Sequence, residues 1–311
     1  MNAPLQPGFA RSLSDPKTLM SIRNLELRAR MVVEGFWAGL HRSPYHGFSV
    51  EFTEYRPYTP GDDPRYLDWR VLARSDRYFL KRFEDETNLR CHLLTDQSRS
   101  MAFGSTGSTK AEYAATLAAT LAFFLHLQGD AIGLLTFDEK VRDYLPPRHR
   151  LSHLRQLMIA LEKPVAGRAT DLVAPLQRAV EMVRKRGLLV VLSDFLAPIE
   201  QLEPALIRLA ACGHELVVFQ ILDPAELAFE FNEPTMFEDA ETGRLLMLDP
   251  AAARAEYQRK LGAHCDTLRK ILQRLGGSYS RLVTNQALEL ALFDFLRARS
   301  QRRTLRRTAL R

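Results

Sequence analysis

The chain has 311 residues, 46% hydrophobic and 26% charged, with 43 Lys and Arg against 37 Asp and Glu for a formal net charge of +6. That balance is ordinary for a globular protein and excludes global disorder, a fibrous repeat or a disulfide-rich mini-scaffold. The three cysteines, Cys91, Cys212 and Cys265, lie far apart with no CxxC spacing, which argues against a structural zinc site and fits a reducing compartment. Cys91 and Cys212 are expected as small core residues. Cys212 with His214, and His264 with Cys265, remain faint ligand pairs.

In chain order, residues 1–14 read as unordered and hold no apolar stretch of the kind a signal peptide needs. A helix is expected from Ser14-Asp15-Pro16, a cap followed by a first-turn proline, with Leu19, Ile22, Leu25, Val32, Val33, Phe36 and Leu40 on its apolar side. From His41 to Glu86 the chain turns rich in aromatics, arginine, aspartate, proline and glycine. Phe48, Val50 and Phe52 alternate there as in a half-buried strand. Strands and helices then alternate: strand 89–95, helix 109–127, strands 131–137 and 141–145 as a hairpin, helices 151–161 and 172–185. Next come the apolar strand 187–193, helix 199–210, strand 215–222, an irregular insert around 229–248, helix 250–275, strand 278–283 and helix 286–299. The expected divisions are a disordered segment 1–14, an N-terminal helix and β-rich block over 15–87, an α/β domain over 88–300, and a basic tail over 301–311.

No run of about 18 apolar residues occurs, so no membrane span is expected and the location expected is cytoplasmic. Arg297, Arg299, Arg302, Arg303, Arg306, Arg307 and Arg311 have no aromatic among them to stack on bases. They read as a solvated tail rather than a nucleic-acid site.

Strand–helix alternation predicts a doubly wound, mostly parallel sheet with helices on both faces. With strand order 3-2-1-4-5-6, its first and fourth strands are neighbours, and ligands gather at their carboxyl ends. The first strand ends in Asp96-Gln97-Ser98-Arg99-Ser100, a D-x-S-x-S motif. The fourth ends in Asp194, and Thr170 precedes the helix leading into it. Asp96, Ser98, Ser100, Thr170 and Asp194 are all oxygen donors, which suits Mg²⁺ or Mn²⁺. Asp171 competes with Thr170 for its role and otherwise caps the next helix.

This set resembles the metal-ion-dependent adhesion site of von Willebrand factor A domains. Upstream stands a second signature. Gly47-Phe48-Ser49-Val50-Glu51-Phe52 is followed by Arg56-Pro57-Tyr58-Thr59-Pro60-Gly61-Asp62-Asp63-Pro64-Arg65-Tyr66-Leu67-Asp68-Trp69, then Ala73-Arg74 and Lys81-Arg82-Phe83-Glu84. From about Leu19 to about Arg299 the chain resembles a bacterial family known as domain of unknown function fifty-eight. In that family such a block precedes a von Willebrand factor A-like domain, and its genes commonly neighbour those of MoxR-type AAA+ ATPases. The resemblance implies metal-mediated protein–protein interaction, in an adaptor or co-chaperone working with a MoxR-type ATPase or its client. Arg56, Arg65 and Arg74 can pair with Asp62, Asp63 and Asp68, with Trp69 as an apolar anchor. Such a network serves either as internal bracing or as a docking surface in which Arg56, Asp62, Asp63, Arg65, Asp68 and Trp69 meet a partner.

Two other signals fail. Gly104 to Lys110 imitates a phosphate-binding loop, but Thr109 rather than glycine precedes the lysine. The segment is expected as a flexible loop over the metal site. The alternative function, a Mg²⁺-dependent phosphatase or hydrolase with Asp96 as nucleophile, lacks the acid two residues on, where Ser98 stands. No histidine, lysine or second acid is expected near the motifs to act as a general base, so the chain is expected not to be an enzyme.

Overall fold

A computed structural model describes residues 16–42, 55–57, 79–81, 89–165, 172–231, 235–238 and 245–296. The chain divides between Trp37 and Ala38, and between Leu89 and Arg90, into two compact units. In the smaller unit, β1 (Tyr55–Pro57) pairs antiparallel with β2 (Phe79–Lys81), Tyr55 opposite Lys81. The expected strand through Phe48, Val50 and Phe52 lies outside the described residues, as do Asp62, Asp63, Arg65, Asp68, Trp69 and the side chain of Arg56. The same holds for segments 1–14 and 301–311.

The N-terminal helix differs from expectation. It is two helices, α1 (Pro16–Met20) and α2 (Leu25–Arg42). The break has a local cause: the Asn24 side chain accepts the N–H of Leu27 at 2.8 Å and starts a new helix. The division falls within α2, whose residues up to Trp37 are part of the larger unit. Leu25, Ala29, Val32, Val33 and Phe36 form one stripe and are all buried there. Phe36 meets Phe124 edge-on at 6.4 Å.

The larger unit is built on a six-stranded sheet: β3 (Arg90–Asp96), β4 (Ala131–Phe137), β5 (Val141–Arg148), β6 (Leu188–Ser193), β7 (Glu215–Leu222) and β10 (Ser278–Val283). Its order is β10-β7-β6-β3-β4-β5. All pairings are parallel except β4–β5, the expected hairpin. Counted from the β5 edge, this is the expected 3-2-1-4-5-6. The flanking helices are α3 (Lys110–Leu127), α4 (Leu151–Leu161), α5 (Val173–Met182), α6 (Ile199–Ala211), the short α7 (Pro224–Ala228) and α8 (Pro250–Arg274). Helical backbone runs again over 288–296. The insert expected as irregular holds a hairpin, β8 (Thr235–Glu238) with β9 (Leu245–Leu248). Phe229 anchors it by stacking on Phe237 at 5.5 Å and Tyr257 at 4.4 Å.

Alternation along the strands divides the core between the two faces. Leu94, Leu135, Phe137, Leu189, Val191, Leu216 and Val218 pack under α5, α6 and α8, against Leu176, Leu202, Leu206, Leu209, Leu268 and Leu272. Each such side chain contributes about 1.5–3 kcal/mol on burial, so the register between strands is strongly held. Every residue of β6 is buried, as a parallel central strand requires. Gly187 lets β6 start hard against β3, since a Cβ there would stand 2.3 Å from the Arg90 carbonyl oxygen. Thr95 is then opposite Leu192. One residue further on, Asp96 and Ser193 are the last residues of their strands, and the Ser193 hydroxyl donates to Asp96 Oδ2 at 2.6 Å.

Candidate metal centre

Asp96 closes β3 with no exposure to solvent. Its Oδ1 accepts the N–H of Ser98 at 2.8 Å, and its Oδ2 accepts the hydroxyl of Ser193 at 2.6 Å. Ser98 is the N-cap of a short 3₁₀ turn (Arg99–Ala102), which brings its Oγ to 3.1 Å from that of Ser100. Two ligands side by side on an octahedral ion with bonds of about 2.0–2.1 Å stand about 3 Å apart. The two serine hydroxyls share a hydrogen bond at 3.1 Å, a spacing that adjacent ligands of a small hard cation would also have. Thr170 and its competitor Asp171 lie outside the described residues. Among the described residues no three His, Cys, Asp or Glu side chains form a ligand cluster.

Asp194 is brought to the same edge but is already engaged. Its Oδ2 accepts the ammonium of Lys110 at 2.8 Å, its Oδ1 accepts the N–H of Leu196 at 3.3 Å, and its carbonyl accepts Gln220 Nε2 at 2.8 Å. Phe195, at φ 53°, turns the chain away and is fully buried. Its carbonyl is held by His264 Nε2 at 2.7 Å. Leu196, Tyr257, Lys260, Leu261 and His264 line an open groove of about 360 Å³ just beyond.

Lys110 and Glu226 are the residues that sequence reasoning missed, and they overturn the expectation that no lysine or second acid is near. Lys110 has no exposure and bonds Glu226 Oε1 at 2.5 Å as well as Asp194. It opens α3 behind a capping box made by Thr109 and Glu112. Glu226 is held by its own capping box at α7, where its Oε2 accepts the N–H of Asp223 at 2.8 Å. A lone lysine heading a helix rich in alanine and leucine was the available signal, because a buried ammonium needs a carboxylate. Loop 103–109 is pinned rather than free: Ser105 bonds Asp223 through both its hydroxyl and its N–H, the latter at 2.9 Å. Cys212, expected in the core, is exposed at the C-cap of α6, while Cys91 and Cys265 are buried.

The electrostatics follow from burial. Burial, then the charge of Asp194, pushes Asp96 up to about 7 against the hydrogen bonds from Ser193 and Ser98. Burial pulls Lys110 down, but Asp194 and Glu226 outweigh it and the net shift is upward. Glu226 is raised, chiefly by burial, which the pull of Lys110 only partly offsets. Burial alone would raise Asp223, but hydrogen bonds from Ser105, Ala225 and Thr284 bring it below the usual carboxylate range. The Lys110 ammonium faces two carboxylates, Asp194 and Glu226, while Asp96 feels the charge of Asp194.

The family model described as protein of unknown function DUF58 matches residues 54–267. Uncharacterized proteins of Mycobacterium bovis and Mycobacterium tuberculosis are each 30% identical over 280 residues, covering 88% of this chain and 87% of the relative. Among solved structures, the conserved hypothetical protein BatB of Bacteroides thetaiotaomicron is similar at 15% identity and TM-score 0.44, over 68% of this chain and 99% of that one. The SpRpn10 VWA domain is similar at 13% identity and TM-score 0.37, over 65% and 92%. At those scores the fold rests on the sheet's own strand order. Among the described residues no helix is long and apolar enough to cross a membrane.

Proposed function

The chain belongs to the family described as protein of unknown function DUF58, and from that membership and the strand-end cluster we propose that it is a metal-dependent protein-interaction module of the cytoplasm. The observation that carries this reading is the Ser98–Ser100 hydroxyl pair, 3.1 Å apart, with Asp96 behind it at the carboxyl end of a central strand. In this reading Asp96, Ser98 and Ser100 hold Mg²⁺ or Mn²⁺, with Thr170 and Asp194 completing the set. The bound dication supplies an electrophilic point that a partner's carboxylate can complete. The chain's own residues fix that point: the hydrogen bond from Ser193 orients Asp96, and the groove beside Leu196 offers apolar surface next to it. The partner proposed, a MoxR-type AAA+ ATPase or its client, rests on the family resemblance.

A binding role is favoured over the phosphatase alternative by the residue two positions after Asp96. Ser98 stands there, and its hydroxyl cannot serve as the general acid that aspartyl-phosphate chemistry needs. The test is thermal. A ligand bound only by the folded state, at about 100 times its Kd, stabilises by about 2.7 kcal/mol, so Mg²⁺ or Mn²⁺ should raise the wild-type Tm. Asp96→Ala should remain folded and lose the response. An equal rise in both proteins would remove Asp96 from the site.

A further inference from the structure

We propose that Lys110 is a built-in competitor for the divalent cation: its ammonium occupies the Asp194 end of the site and must yield Asp194 before that carboxylate can serve a metal. The inference rests on the metal-binding reading above and adds a residue that the motif does not contain. Three observations carry it. The Lys110 side chain has no exposure, so its ammonium cannot be serving solvent or a surface partner. It touches Asp194 Oδ2 at 2.8 Å, the carboxylate that the metal would claim. It also touches Glu226 Oε1 at 2.5 Å, so a second carboxylate is in place to keep the ammonium when Asp194 is withdrawn.

The charges make the competition one of mutual exclusion. An ammonium and a dication on one carboxylate repel strongly where water is excluded, so either can hold Asp194 closely but not both. Lys110 stands at the first turn of α3, which is anchored by the Thr109–Glu112 capping box, while Glu226 stands at the first turn of α7. The ammonium therefore has a fixed tether and two alternative partners. Its presence lowers metal affinity and gives the resting site a neutralised Asp194 without any metal.

The test is Mn²⁺ binding, read by electron paramagnetic resonance and calorimetry, on the full chain and its variants. Lys110→Met should bind Mn²⁺ roughly ten-fold tighter or more than wild type, the effect of removing one close positive charge. Because Lys110→Met leaves two buried carboxylates unpaired and is at risk of misfolding, Lys110→Met with Glu226→Gln is made beside it and checked by its melt. It should also bind tighter than Glu226→Gln alone. The cycle is closed with Asp194→Asn: if Lys110 acts through Asp194, Lys110→Met gains nothing in that background. Measurable binding that is equal in wild type and Lys110→Met overturns the competition and leaves the metal reading standing. So does a gain that persists in full with Asp194→Asn, which would make Lys110 a distant charge only. Absence of Mn²⁺ binding in wild type and both lysine variants overturns both. Binding in the lysine variants alone supports the competitor in its strongest form.

Discussion

Along β3 the buried polar side chains differ in whether they have partners. Asp96 has hydrogen-bond donors on both oxygens, whereas His92 Nδ1 is buried with no hydrogen-bond partner among the described residues. Its ring lies parallel to that of Tyr144 at 6.5 Å. Burial, helped by His214 and Arg90, lowers His92 to about 4, against about 6.5 in an unfolded chain. The fold therefore holds the neutral imidazole, while the unfolded chain takes up a proton first as the pH falls. The stability this provides is full above about pH 6.5 and is lost as the pH falls toward about 4. Between pH 7 and pH 5 the loss amounts to about 2 kcal/mol. His92→Phe keeps a ring against Tyr144 and takes no proton. Urea unfolding at the two pH values should show its stability falling by about 2 kcal/mol less than that of wild type. Equal falls would mean that other groups carry the acid sensitivity.

Among the elements, α3 connects stability to the site. Thr109 accepts the N–H of Glu112 at 3.1 Å, and Glu112 accepts the N–H of Thr109 at 2.9 Å. Thr109→Ala removes one arm of this box, and replacing such caps costs about 1 kcal/mol. Urea melts should show that loss, and a change of only a few tenths would mean that the packing of α3 fixes its start unaided. The element pattern was largely legible in the sequence because it follows from apolar patterning: the short, valine-containing run LLVVLS fits a strand covered on both faces, and strand–helix alternation points to a parallel sheet. The break at Asn24 was hidden because the apolar stripe of α2 begins at Leu25 and continues the spacing from Leu19. The β8–β9 hairpin was hidden because Met236, Leu245 and Met247 are exposed and break the apolar-in, polar-out rule. Of the site, Asp96, Ser98 and Ser100 were legible as a local motif. Lys110 with Asp194 and Glu226 was not, because those contacts join residues 84 and 116 positions apart, and local spacing carries no trace of them.

For the molecule as a whole, two proposals compete for how a partner is met. One is the strand-end cluster with its neighbouring groove; the other is the upstream sequence block with Asp62, Asp63, Arg65 and Trp69, which lies outside the described residues. Removing both serine hydroxyls leaves Asp96, Asp194 and the Lys110 ion pairs in place, so Ser98→Ala with Ser100→Ala tests metal-supported docking while sparing the buried charges. Asp62→Ala with Asp63→Ala removes two carboxylates from the block and changes no residue of the cluster. With a purified MoxR-type ATPase from the same host, wild type should be captured in Mg²⁺ and lost in EDTA, because a carboxylate completing a metal's sphere has nothing else of equal strength to hold it. The serine double variant should lose capture in Mg²⁺ by a factor comparable to the EDTA effect, with an unchanged melt in the absence of metal. The aspartate double variant should retain it. If capture instead survives both EDTA and the serine substitutions but fails when Asp62 and Asp63 change, recognition belongs to the upstream block, and the metal-bridge mechanism is wrong.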